Sequence, residues 1–155
     1  MRRALALVAA TAVWAGALFP AAAMTTGEKV VAIAKELAPK VQYQRHVYDP
    51  ERYIFDCSGF VYTVFKMAGI DLGTRDDDVQ ARRGIPVDKS DLRPGDLVYF
   101  NHNPDDPDDV THIGIYIGDG KYIHNFNSKV DVTISDLNKG WHKRYYKGAR
   151  RVIGV

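Results

Sequence analysis

Cysteine is almost missing: Cys57 is the only one in 155 residues. An internal disulfide is therefore excluded, and a lone cysteine in a small chain is either a packing residue or a reactive thiol. Net charge is scarce as well. The formal +2 is carried by Arg2 and Arg3, and the residues after them balance 19 basic against 19 acidic side chains. Nucleic acid is disfavoured as a partner, because no unbalanced basic surface remains to meet phosphates.

Long apolar runs are limited to one. Residues 4–19 carry no charge, but Pro20 ends the run before the roughly 20 apolar residues that a membrane span requires. With Arg2 and Arg3 before it and Ala21-Ala22-Ala23 after it, residues 1–23 have the layout of an export signal with an Ala-x-Ala cleavage site. Cleavage after Ala23 leaves residues 24–155 as one domain, with no cysteine beside the site for lipid attachment. The mature chain is expected outside the cytoplasm, periplasmic or secreted, free of the membrane and monomeric.

What is present centres on residues 55–65. Asp56 reads as a helix N-cap, Phe60, Val61, Val64, Phe65 and Ala68 recur at the spacing of a buried helical face, and Gly69 stands at the C′ stop. Cys57 then falls in the first turn, where unpaired N–H groups and the helix dipole favour a thiolate. Such settings bring a thiol pKa from about 8.5 into roughly 3.5–7.5. The competing reading is a small buried hydrophobe.

Around this helix the periodicity changes. Thr25 and Glu28 have the spacing of a capping box, and Val30, Val31, Ile33, Ala34 and Leu37 mark an amphipathic helix ending before Pro39. Residues 41–55 read as an irregular approach segment, whose Tyr43, Tyr48 and Tyr53 either line a cleft or cover a core. Residues 74–84 read as a short solvated helix with Asp76, Asp77 and Asp78 at its acidic start and Arg82 and Arg83 at its end. Residues 97–100, 112–117 and 121–124 read as strands, with Gly118-Asp119-Gly120 as a hairpin turn; 130–134 and 145–152 read as further strands. Helices first and a meandering antiparallel sheet afterwards give an α+β class.

The hairpin register carries chemistry. Positions summing to about 238 face each other, which puts His124 opposite Gly114 and diagonal to His112 on the same face, within about 4.5–8 Å. A helix bearing Cys57 packed on that face completes a nucleophile, a base and an orienting group. His46, His102 and His142 lack such geometry and read as surface or loop residues. Zinc bound by Cys57, His112 and His124 is the alternative, but ligands spread over a helix start and a hairpin lack the paired spacing of structural sites. No metal and no cofactor are expected.

Three blocks, Asp56-Cys57-Ser58-Gly59-Phe60-Val61, Arg93-Pro94-Gly95-Asp96-Leu97-Val98-Tyr99-Phe100 and the stretch from His112 to His124, resemble in order the signature blocks of the NlpC/P60 cysteine peptidases. The resemblance implies a papain-like fold and a cell-wall endopeptidase that hydrolyses peptidoglycan stem peptides. It makes Cys57 the nucleophile, His112 the base and His124 the third polar residue, with Asp56, Ser58 and Tyr43 placed for substrate binding. Two departures stand out. Family members carry a tyrosine followed closely by a Gly-Gly pair before the cysteine, whereas residues 43–53 hold no glycine, which leaves the bond cut open. The Asn/Asp/Pro-rich loop 101–109 has three readings: attraction of a stem-peptide ammonium, calcium binding, or a solvated connection. A papain-like amidase or acyltransferase and a catalytically inactive wall-binding module remain the alternative functions.

Overall fold

The computed structural model describes residues 23–155, so the expected export segment 1–23 lies, Ala23 apart, outside the described residues. Helix α1 (Thr26–Leu37) starts at the expected capping box: Thr25 accepts from the Glu28 N–H, while the Glu28 carboxylate accepts from the Thr25 N–H at 2.7 Å. It buries Val30, Val31, Ala34 and Leu37 and passes into a 3-10 turn at Ala38–Lys40. Gly27 lets it lie directly on the later chain, since a Cβ there would collide with the Pro94 carbonyl.

The approach segment is not wholly irregular. It contains three two-residue strands, β1 (Gln42–Tyr43), β2 (Tyr48–Asp49) and β3 (Ile54–Phe55), in a small sheet where β3 pairs with β1 in parallel and with β2 antiparallel. Strands this short show no alternation, so their sequence carries no period-2 signal. Helix α2 (Cys57–Met67) begins at Asp56, whose Oδ1 accepts from the Gly59 N–H at 2.8 Å, and is followed by Gly69 at φ 81°. The helix expected over 74–84 is only the four residues of α3 (Asp77–Gln80). Asp76, Arg82 and Arg83 are exposed as expected, but Gln80 is fully buried.

The main sheet comprises β4 (Ile85–Pro86), β5 (Leu97–Phe100), β6 (His112–Gly118), β7 (Lys121–Asn127), β8 (Asp131–Asp136) and β9 (Tyr146–Arg151), with helix α4 (Gly140–Tyr145) before the last strand. Every neighbouring pair is antiparallel and the order is β4-β9-β5-β6-β7-β8. Strands β5 to β8 form the expected meander. The insertion of β9 between β4 and β5 breaks it, and α4 takes residues 140–145, the last of which was expected in a strand. The class is α+β, as the order of elements implies.

Two clusters hold the layers together. On one face of the sheet, Leu97, Ile113, Ile115 and Ile123 pack against Phe60, Val61, Val64 and Phe65 of α2 and Val30, Ala34 and Leu37 of α1. Each of these side chains apart from Ala34 contributes about 1.5–3 kcal/mol by leaving water. On the other face, Val98, Phe100, Tyr122, Leu137 and Ala149 meet Trp141, Tyr145 and Tyr146. Asp96, in the turn before β5, locks the inserted strand through a two-pronged pair with Arg151 at 2.7 and 2.8 Å.

Candidate active site

Strand parity places the nucleophile differently from expectation. α2 packs on the face of Ile113, Ile115 and Ile123, whereas His112 and His124 share the opposite face with Phe100 and Tyr122. Cys57 reaches the histidine side only at the end of β6, where the Ile113 N–H points at its sulfur, as does that of Ser58. His112 opens β6 directly before Ile113, and it lines the same cleft as Cys57.

Hairpin register brings the imidazoles together as the turn arithmetic predicts. Ile115 faces Ile123 and Tyr116 faces Tyr122, so His124 lies diagonal to His112. His112 Nε2 and His124 Nδ1 are 2.7 Å apart, and His124 Nε2 lies 2.9 Å from Ser135 Oγ on β8. Gly114 makes room for this: a Cβ there would sit 2.9 Å from His124 Cβ and 2.6 Å from the Tyr122 ring. Tyr122 stacks on His124 with centroids 4.2 Å apart, and Trp141 stands edge-on to His112.

Of the two imidazoles, His112 opens onto a cleft of about 720 Å³, which Cys57 also lines, between two dissimilar walls. One wall is polar and acidic, with Tyr43, Arg45, Asp56, Asp77 and Asp78; the other is aromatic, with His102, Phe126 and Trp141. Cys57 is buried, at 8% exposed, yet it forms part of the cleft lining. His124 is fully buried behind His112.

Of the residues expected at the site, Tyr43, Asp56, Cys57, Ser58 and His112 line the cleft. The Tyr43 N–H is held by Asp131 Oδ1 at 2.8 Å, and burial together with the nearby Cys57 and Asp56 charges pushes its phenol pKa up. Asp56 is committed to capping α2, and the Ser58 hydroxyl turns back to donate to it at 3.3 Å. Both side chains are thus engaged with the helix start. His46 and His102 belong to the cleft wall rather than to an indifferent surface, and His142 Nδ1 lies 2.6 Å from the Tyr122 hydroxyl, close to the imidazole pair.

The expected low-pKa thiolate is corrected. Burial, followed by the negative charges of Asp77 and Asp56, pushes the Cys57 thiol up to about 12, and the N–H groups of Ile113 and Ser58 offset only part of this. Burial likewise lowers His112 to about 3 and His124 well below its ordinary value. The resting pair is a neutral thiol beside neutral imidazoles. Asp77, raised to about 6 chiefly by burial and then by Asp78 and Asp76, is a cleft carboxyl that the motifs did not single out. Gln80, buried behind the cleft, was not singled out either: its amide donates at 3.1 Å to the carbonyls of Ser58 and Thr74, tying α3 to the helix that bears the thiol. Asn125 donates to the Phe55 carbonyl at 2.8 Å and so joins β7 to the segment leading into Cys57. Among the described residues, the carboxylates of Asp76, Asp77 and Asp78 form the one cluster close enough to share a cation.

Comparison with known proteins places this arrangement. Over 99 residues the chain is 42% identical to a γ-D-glutamyl-L-lysine dipeptidyl-peptidase of Bacillus cereus, a match covering 64% of this chain and 29% of that protein. Murein DD-endopeptidase MepH of Escherichia coli is 36% identical over 101 residues, covering 64% of this chain and 36% of that protein. The match thus spans about a third of the length of these curated relatives. The crystal structure of an NlpC/P60 family protein from Bacillus cereus superposes with a TM-score of 0.73 at 35% identity, covering 82% of this chain and 40% of that one. A match to the NlpC/P60 family runs through residues 42–151 and takes in both cleft walls, the thiol and both imidazoles, so this chain belongs to the NlpC/P60 family.

Proposed function

We propose that the protein is a cysteine peptidase that hydrolyses an amide bond in the stem peptides of peptidoglycan, acting outside the cytoplasm. The observation that carries this reading is the 2.7 Å pairing of His112 Nε2 with His124 Nδ1 behind a cleft whose floor includes Cys57. The names of the relatives support amide hydrolysis in the cell wall. Among the described residues no helix is long and apolar enough to cross a membrane.

Catalysis starts from the neutral pair. With Nε2 engaged by His124, Nδ1 is the His112 nitrogen left for the thiol, and it takes the Cys57 proton as a substrate amide settles in the cleft. The thiolate attacks the carbonyl carbon. Gly59 N–H is occupied by Asp56, and the Cys57 N–H, the first donor of the helix, is placed to meet the oxyanion. The His112 imidazolium then protonates the departing amine, giving a thioester. Water, deprotonated by His112, attacks the thioester and releases the acid, which restores the thiol.

The test is incubation of the purified protein and its Cys57→Ala variant with intact sacculi, followed by mass spectrometry of the soluble fraction. Fragments released by the unmodified protein alone support the reading. Equal release by the variant overturns it, and an amine-capped product in place of a free acid would mark a transferase.

A further inference from the structure

The line of polar groups does not stop at His124. Ser135 on β8 faces Tyr122, two residues along from Thr133, which faces His124, and this diagonal offset on one face of the sheet brings its hydroxyl to 2.9 Å from His124 Nε2. β6, β7 and β8 thus each supply one member of a stripe: His112, His124, Ser135. We propose that Ser135 is a positioning residue of this site. Its hydroxyl accepts the His124 Nε2–H and so permits both imidazoles to hold the tautomers that leave His112 Nδ1 unprotonated toward the thiol.

The reasoning is proton counting. A neutral imidazole carries one N–H, so the 2.7 Å contact between the rings holds a single hydrogen. In one arrangement His112 Nε2–H donates to His124 Nδ1; the His124 hydrogen is then on Nε2, and His112 Nδ1 is a lone pair. In the reverse arrangement His124 Nδ1–H donates to His112 Nε2, and His112 Nδ1 carries a hydrogen and cannot act as a base. Only the first survives catalysis, because an imidazolium at His112 needs Nε2 as a donor and would meet a second hydrogen in the reverse case.

The first arrangement requires an acceptor for a fully buried His124 Nε2–H, and Ser135 Oγ supplies it. Without it, a buried N–H is orphaned, and orphaned donors are rarer in folded proteins than under-satisfied acceptors. Ser135→Ala therefore favours the reverse arrangement, in which the orphan is a lone pair. A hydroxyl is the whole requirement, so Ser135→Thr preserves the effect.

The inference rests on the peptidase reading for its kinetic arm but not for its spectroscopic one. Two-bond ¹H–¹⁵N correlation spectra of the full chain labelled at histidine report the protonated nitrogen of each ring without turnover. The expected result is His112 and His124 both protonated on Nε2, with His124 shifting toward Nδ1 protonation in Ser135→Ala. In the sacculus assay Ser135→Ala is expected to lose about tenfold in kcat, the size of one neutral hydrogen bond, with KM within about twofold and Ser135→Thr near the unmodified rate. A His124 protonated on Nδ1 in the unmodified protein overturns the proposal. So does a Ser135→Thr variant as slow as Ser135→Ala.

Discussion

His112 Nε2 and His124 Nδ1 approach to 2.7 Å because the residue directly across the hairpin from His124 is a glycine, which leaves the diagonal free for one ring to rest against the other. Removing either ring breaks the proton path at a different place. His112→Ala is expected to cost about 10²–10⁴ in kcat and His124→Ala an amount near the lower end of that range, read as the rate of fragment release from sacculi. Equal, negligible losses would show that the pairing has no part in turnover.

Gly114→Ala is expected to be destabilising by about 1–3 kcal/mol, since its methyl group would meet the Tyr122 ring and His124 Cβ well inside normal contact. Denaturant unfolding measures it. Activity should fall further than stability, because relief comes by pushing His124 away from His112.

Asp77 gives a pH signature with a definite sign. Its folded-state pKa is raised from 3.8 to about 6, so the folded protein holds that proton more tightly than the unfolded chain. Asp77 therefore favours folding below about pH 4, and that contribution is lost as pH rises through about 6. Asp77→Asn is expected to melt higher than the unmodified protein above pH 6, with the gap closing below pH 4. The two buried imidazoles act in the opposite sense: stability is full above 6.5 and declines as pH falls below it. Comparing the variant with its parent at each pH isolates the carboxyl.

The same substitution should also quicken the thiol. Asp77 is the foremost charge raising the Cys57 pKa, so Asp77→Asn lowers that pKa and moves the rate of iodoacetamide labelling to lower pH. A labelling profile that does not move would mean the Asp77 charge is not felt at the sulfur.

Asp96 and Arg151 form a nearly buried pair, with Asp96 only 2% exposed and its second oxygen also accepting from the Arg93 N–H at 2.8 Å. Asp96→Ala leaves the Arg151 guanidinium with the Asp91 carbonyl alone and is expected to cost about 3 kcal/mol, measured by chemical denaturation.

The sequence disclosed the local parts of this site well. Asp56, Cys57 and Gly69 follow one another as cap, first turn and stop, and the Gly118-Asp119-Gly120 turn fixes the register that pairs His112 with His124. What it concealed depends on distant segments. Ser135, Gln80 and Asn125 hydrogen-bond to residues 11, 22 and 70 positions away, and such contacts leave no periodic trace. The charge state of the thiol was misread for a related reason: a helix start favours an anion, but burial and the carboxylates of Asp77 and Asp56 outweigh it, and these are properties of the folded surroundings. The face on which α2 packs was misplaced because the sheet is reached around the end of β6, a detail that alternation within a strand does not encode.

The interleaving of β9 sets the order of events at birth. β5 waits with an unsatisfied edge until a partner 50 residues further along has been synthesised, and the slow, non-local closure that follows is sealed by Arg151 reaching Asp96. A nascent polypeptide emerging from the ribosome already holds sulfur and imidazoles yet lacks Trp141, so the cleft completes its aromatic side only when the last helix arrives.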